Sequence, residues 1–150
     1  MMSSADIRPA HSGDQSPVAQ LLQNAGLPTV DLVSAHKFQS WVIEEKGSIL
    51  GVIGLERFGH EGLLRSLAVA PEYRKRGLGQ ELVARLEQDA QAQGIDKLVL
   101  LTETAQAFFQ RLGYTTIDRA QVGADVKQSA EFRSLCPASA VCMRKALLHA

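Results

Sequence analysis

Between an apolar run, Leu63 to Ala70, and an amphipathic one, Leu78 to Ala90, lies the stretch Arg74-Lys75-Arg76-Gly77-Leu78-Gly79. A strand, a tight glycine turn and a helix start follow one another there, and this succession constrains the fold more than any other part of the chain. The N–H groups of a helix's first turn lack intrahelical partners and converge near the positive end of the helix dipole. An anion fits there. Gly77 and Gly79 permit positive φ and remove the Cβ atoms that would hold a phosphate off the backbone, while Arg74, Lys75 and Arg76 add positive charge. The stretch reads as a diphosphate cradle.

A chain of 150 residues is expected to form one domain over residues 1–150, since a chain of this length buries about 70% of its unfolded surface. Lys plus Arg number 16 and so do Asp plus Glu, leaving no net charge. No global basic field is available for nucleic acid or for an anionic membrane surface, so neither partner is expected. No apolar segment approaches the roughly 20 residues that span a bilayer, and Met1 to Asp6 lacks the apolar core of a signal peptide. A cytoplasmic enzyme is the expectation. Cys136 and Cys142 read as free thiols of a reducing compartment. Without a neighbouring histidine they make a poor zinc site, and no metal is expected.

Periodicity supplies the remaining elements. Ile7 to Pro9 reads as a first strand, and Ser16-Pro17 as an N-cap with proline at the first helical position. Val18, Leu21, Leu22 and Ala25 recur at helical spacing before Gly26 and Pro28 end that helix. Asp31 to Lys37 is a short helix or a plain connector. Trp41 to Ile43 and Ile49 to Leu55 form an antiparallel hairpin about the polar Glu45 to Ser48, and Leu63 to Ala70 follows as the next strand after an exposed Gly59 to Gly62 turn. Leu78, Leu82, Leu86 and Ala90, with Val83 beside them, make the apolar stripe of a helix that stops near Gly94. Leu98 to Leu101 is a strand buried on both faces and parallel to the one before the helix. Thr104 can cap a helix carrying Ala107, Phe108 and Leu112, with Phe108 in the core, and Gly113 closes it before Tyr114 to Ile117 extends. Val141 to Met143 is the last strand, and exposed strand edges near Val141 could support a homodimer. This order implies a mixed α/β sheet of the α+β kind.

In this setting Leu67-Ala68-Val69-Ala70-Pro71-Glu72-Tyr73-Arg74-Lys75-Arg76-Gly77-Leu78-Gly79 resembles the acetyl-CoA motif of the GNAT superfamily of N-acetyltransferases. Arg74, Gly77 and Gly79 match its Arg/Gln-x-x-Gly-x-Gly/Ala pattern, and Thr104 to Tyr114 matches its alanine-rich helix start followed by aromatics and Gly-aromatic. The resemblance implies the GNAT fold: central antiparallel strands, a parallel pair that splays apart after Val69 and Leu101, and flanking helices. It implies acetyl-CoA as co-substrate. Backbone groups of Leu67, Ala68 and Val69 would pair with the pantetheine arm, and amides of Arg74, Lys75, Arg76, Gly77, Leu78, Gly79 and Gln80 would hold the pyrophosphate. The thioester would lie beside Thr104 to Phe109. Phe109 stands where many members carry the tyrosine that protonates the departing thiolate, a proton that phenylalanine cannot give.

The tail Glu131 to Met143 resembles the signature of a GNAT subgroup associated with arsenic-resistance operons, and Leu101 to Ile117 more distantly resembles the acetyltransferase domain of N-acetylglutamate synthase. Both imply a small-molecule amine as acceptor, amino-acid-like in the second case. The implied reaction is direct attack of a neutral amine on the acetyl carbonyl, which needs proton removal, orientation and oxyanion stabilisation. The family's usual base makes Glu56 the candidate, because it directly follows an apolar strand whose end should reach the cleft. Glu61 and His60 are weaker choices in an exposed turn. Arg65 interrupts a buried strand, where an unpaired guanidinium would be costly. It needs either an internal carboxylate such as Glu56 or the carboxylate of a substrate. Arg133 and Ser139 belong to a tail that can close over the acceptor, Ser139 being able to bond substrate or leaving thiolate. Cys136 invites a thiol–arsenic reading, although two cysteines give at most two sulfur ligands. Acetylation of a protein N-terminus or lysine, and a non-catalytic acyl-CoA sensor, are the alternatives.

Overall fold

The computed structural model describes residues 7–27, 38–74, 76–129, 132–133 and 139–147. In chain order the elements are β1 (Ile7–Pro9), α1 (Gln15–Asn24), β2 (Phe38–Glu45), β3 (Ser48–Phe58), β4 (Glu61–Val69), α2 (Leu78–Ala92), β5 (Lys97–Thr102), α3 (Gln106–Arg111), β6 (Thr115–Thr116), α4 (Ala124–Lys127) and β7 (Val141–Ala146). The strands form one sheet in the order β1-β2-β3-β4-β5-β7-β6. Neighbours are antiparallel except β4 and β5, which are parallel. The mixed sheet read from the sequence is present.

Two tight turns build its centre. Lys46 and Gly47, both at positive φ, join β2 to β3 in a two-residue hairpin with Glu45 opposite Ser48. Gly59 and His60 do the same for β3 and β4, where Phe58 faces Glu61. That turn is shorter than the sequence suggested. Glu61 and Gly62 belong to β4, and Glu56, expected at a strand end, lies inside β3.

Successive strand residues point to opposite faces. One face carries Ile53, Leu55, Leu64, Leu98 and Leu100 under the stripe of α2, and all five stripe positions read from the periodicity are buried. The other face is covered in two patches. Val18 and Leu22 of α1 pack on Val42, Val52 and Ala68, while Val122 and Val126 pack on Val99 and Cys142.

Several expectations are corrected. Helix α1 starts at Gln15 rather than after Ser16, because the entry is fixed upstream: the Asp14 carboxylate accepts from the His11 N–H, and the His11 ring accepts from the Gly13 N–H. Arg8 clamps the same carboxylate with two hydrogen bonds. Ala25 is exposed, and only Thr115 and Thr116 of the Tyr114 to Ile117 segment are strand. Near Val141, β7 pairs with β5 through Thr102, while β6 covers its other edge only at Met143 and Arg144. The element read over Asp31 to Lys37 lies outside the described residues. No described helix is long and apolar enough to cross a membrane.

Candidate functional site

Strand β4 has two unlike edges. Toward β3 it is paired along its length, but toward β5 only Glu61, Gly62 and Leu63 are matched, with Lys97, Leu98 and Val99. The strands part after Leu63 and Val99, earlier than the expected Val69 and Leu101. The cause is a bulge on the closed edge. Gly54 faces Arg65 while Val52 faces Ala68, so an extra residue is accommodated in β4, and Ser66 takes a φ of 60°. A bulge bends its strand and increases its twist. Beyond it, β4 and β5 leave a cavity of about 350 Å³ between them, lined by Arg65, Ser66 and Leu67 from β4, Leu101 and Thr102 from β5, and Phe109 from α3.

The glycine turn follows Arg74, which lines this gap. Gly77 is the N-cap of α2, in the left-handed region at φ 76°, with no side chain capping the helix. The first closed bond runs from the Glu81 N–H to the Gly77 carbonyl at 3.0 Å. Leu78, Gly79 and Gln80, as first-turn residues, therefore have amides without intrahelical acceptors. Gly79 is helical and does not use positive φ, contrary to expectation. A Cβ on it would meet Phe108 Cζ at 3.5 Å, an ordinary contact, so the packing of α3 does not demand a glycine there. The Leu78 side chain is core and Gln80 is exposed, so their contribution to a site is through the backbone. Arg74 lines the cavity and donates from Nε to the Val69 carbonyl at 3.1 Å. The Arg76 guanidinium lies over the Tyr73 ring at 5.1 Å. Lys75 is outside the described residues.

Phe109 lines the gap, as the resemblance implied, and is also more deeply buried than Phe108, which packs against the core from a half-buried position. Phe109 is the buried one, edge-on to both Phe108 and Tyr114 at centroid distances of 5.0 and 5.4 Å. Phe108 is half-buried toward Gly79. Thr104 lines the cavity but does not cap α3; the Thr102 hydroxyl accepts from the Ala105 N–H instead, at 3.0 Å. Tyr114 sits behind this wall with its hydroxyl on Glu87 at 2.9 Å, and burial pushes its ionisation far above the usual tyrosine range.

Arg65 and Glu56, each left open between structural and chemical roles by the sequence, meet one another. Arg65 Nη1 donates to Glu56 Oε1 at 2.7 Å, the arginine side chain being fully buried and the glutamate side chain 7% exposed. This is the internal carboxylate that a guanidinium in a buried strand requires. His60 points to the Gly94 carbonyl, and Glu61 accepts from the Gly123 N–H at the paired end of β4, away from the gap. Arg133 and Ser139 are exposed and do not line the cavity. Ser139 nevertheless comes just before Val141, which stands opposite Thr102 at the cavity's rim. Burial pushes the Cys142 thiol above its ordinary range, which makes it a weak sulfur ligand. Cys136 lies outside the described residues. Among the described residues no group of three or more His, Cys, Asp or Glu could hold a metal ion. The sequence reading missed Ser66 and Phe38; a serine at the bulge carries no local signal, because the bulge exists only through pairing with β3.

Comparison with known proteins gives concordant results. A family model described as an acetyltransferase (GNAT) domain matches residues 36–116. An amino-acid acetyltransferase of Pseudomonas fluorescens is 39% identical over 75 residues, which is 49% of this chain and 17% of that protein. The chain thus spans under a fifth of that relative's length. An uncharacterized N-acetyltransferase of Chlorobaculum tepidum is 28% identical over 127 residues, covering 79% of this chain and 81% of that protein. Among solved structures, a Mycobacterium tuberculosis protein in complex with CoA matches with a TM-score of 0.79 and 28% identity over 95% of this chain and 99% of that one. The Neisseria gonorrhoeae N-acetylglutamate synthase complexed with coenzyme A and N-acetyl-glutamate has a TM-score of 0.80 and 24% identity, covering 95% of this chain and 35% of that one. That likeness is one of fold.

Proposed function

The chain belongs to the GNAT acetyltransferase family, and from that premise we propose that it transfers the acetyl group of acetyl-CoA to the amine of a small, amino-acid-like molecule. The observation that carries this reading is the released edge of β4. Its backbone beyond Leu63 has no β5 partner, the gap is roomy, and the uncapped amides of α2 follow closely on Arg74, which lines it. An extended arm with a diphosphate at one end fits such a site, and when bound it supplies an activated thioester. Amides of Leu78, Gly79 and Gln80 would hold the diphosphate, with Arg76 and Lys75 adding charge. The backbone of Leu67 to Val69 would pair with the arm, and Arg74 sits on the Val69 carbonyl beside its path. Thr104 and Phe109 would wall the acyl end.

On the acceptor side, Glu56 and Arg65 act as a positioning pair: the ion pair between them fixes β4 next to its bulge. The acceptor amine gives its proton to water in the open gap, and the departing thiolate regains one there, since Phe109 carries no hydroxyl. The rim position of Ser139 supports a place near the acceptor, and the tail resemblance supports the same for Arg133 and an association with arsenic resistance.

Thiol release from acetyl-CoA across a panel of amines tests this function, the panel including amino acids and organoarsenicals that bear an α-amino group. Turnover with a small amine is the expected result. The hydroxyl-free Phe109 favours one second reading, a non-catalytic acyl-CoA sensor, which tight CoA binding with no turnover on any amine would establish. In the enzyme reading, Glu56→Gln leaves the shape of the pH profile unchanged. A kcat loss that eases at high pH would instead make Glu56 the base.

A further inference from the structure

A second cavity, about 470 Å³, opens on the face of the sheet covered by α1. Val18 and Leu22 of α1 and Val52 of β3 give it an apolar lining, and Phe38 of β2 forms a wall. Ser66 lines both this cavity and the gap between β4 and β5. The residue is 7% exposed, and its Oγ is buried with no hydrogen-bond partner among the described residues. A buried hydroxyl left unsatisfied is unfavourable, and a serine at φ 60° adds backbone strain. A polar group of a ligand at the junction of the two cavities would satisfy the hydroxyl.

The charge around the cavity restricts that ligand. Arg65 neighbours Ser66 in sequence but does not line this cavity; its guanidinium meets Glu56 at 2.7 Å and lies 5.7 Å from the centroid of the Phe38 ring. Phe38 therefore stands between the buried ion pair and the apolar space. Among the described residues the titratable lining groups are His11 and Asp14, and the Asp14 carboxylate is already bonded to Arg8. No lysine or arginine among the described residues lines the cavity. Against the apolar walls formed by Val18, Leu22, Phe38 and Val52, a side-chain carboxylate would lose water without compensation, whereas an apolar substituent is buried favourably.

Resting on the acetyl-transfer reading, we infer that this cavity is the pocket for the acceptor's side chain, with Ser66 Oγ orienting the amine and the apolar space selecting an uncharged, largely apolar substituent. In the transfer the amine nitrogen forms the new N–C bond as the C–S bond breaks. One amine proton goes to water, and the thiolate takes one up. Ser66 Oγ accepts from a remaining N–H and so points the lone pair toward the gap.

The test uses the full chain, with acetyl-CoA binding measured by calorimetry and thiol release measured with leucine, methionine, phenylalanine and glutamate as acceptors. At least one apolar amino acid is expected to exceed glutamate in kcat/KM by about tenfold or more. Ser66→Gly suits the positive φ while deleting the hydroxyl, and should lower kcat/KM for that acceptor about tenfold with acetyl-CoA affinity within about twofold. Ala19→Phe, which narrows the cavity from α1, should raise KM for the bulkiest acceptor and spare KM for acetyl-CoA. Preference for glutamate, unchanged acceptor kinetics in both variants, or bound acetyl-CoA with no turnover on any of the four would each overturn the inference. Failure to bind acetyl-CoA would overturn the acetyl-transfer reading itself.

Discussion

The two edges of β4 do opposite things with the same stretch of backbone. Toward β3, the strand is matched everywhere except at the bulged Ser66 and Leu67, and a buried ion pair ties the strands together. Toward β5, pairing lasts for three residues and then stops. Sheets normally satisfy both edges of an interior strand, because an unpaired backbone group out of water is costly. Here one edge is over-determined, by hairpin, bulge and salt bridge, and that rigidity lets the other remain open without the strand collapsing onto β5. The closed edge is scaffold and the open edge is site.

Substitutions can break this division or sharpen it. Glu56→Ala on the closed edge removes the carboxylate from a buried guanidinium and should cost about 3–5 kcal/mol in urea unfolding. Acetyl-CoA affinity of the folded fraction should stay near that of the parent. A loss below about 1 kcal/mol would mean the pair is not what holds the edge. Gly62 lies where β4 is still paired on both sides, and a Cβ there would sit 2.8 Å from Leu55 Cδ1 and 3.0 Å from Leu98 Cδ2. Gly62→Val should therefore cost about 1–3 kcal/mol through overpacking, again read by unfolding and not by affinity. Gly79→Val addresses the open side. Its Cβ meets only ordinary contact with Phe108, and valine is no worse a helix former than glycine, so stability should move by less than about 1 kcal/mol. KM for acetyl-CoA should nonetheless rise about tenfold, as the branched side chain crowds the uncapped amides. A stability loss with unchanged KM would place the turn in the scaffold instead.

The smallest effect is a control at the entry to α1, away from the pairing of β4. Arg8 holds the Asp14 carboxyl at about 2, below its ordinary 3.8. Between those values the unfolded chain binds more protons than the folded one, so the pair's stabilisation is complete above the ordinary value and is lost as pH falls toward 2. The melting-temperature difference between the parent and Asp14→Asn should shrink as pH is lowered from about 5 to about 2. Acetyl-CoA binding should not change with it.

Legibility from sequence followed how local each determinant is. The strand, turn and helix from Leu63 to Ala90 were readable, because a 15-residue helix displays its whole apolar stripe and glycine marks its own turn. Helix α3 has six residues, too few to show which of two adjacent phenylalanines is the more buried; Phe109 is, while it still lines the gap. The start of α1 was misplaced because its entry is fixed by Arg8, His11 and Asp14 upstream rather than by Ser16 and Pro17. The early parting of β4 and β5 was hidden for another reason: it originates in register against β3, which no local pattern records. Arg65 was the useful middle case. A charge inside an apolar strand announced that it needed a partner, and Glu56 was among those named, but only the fold could supply the 2.7 Å contact.

The insertion of β7 between β5 and β6 has a consequence for how the molecule comes into being. Lys97 is matched with Ala146 and Thr102 with Val141, while Thr115 and Thr116 pair only with Arg144 and Met143. During synthesis, β5 and β6 therefore leave the ribosome long before the strand that joins them, and β5 meanwhile presents an apolar, unpaired edge. Such edges recruit other chains. A nascent chain halted ahead of Val141 should be the species most prone to aggregation and most in need of a chaperone, whereas emergence of Ala146 completes the sheet.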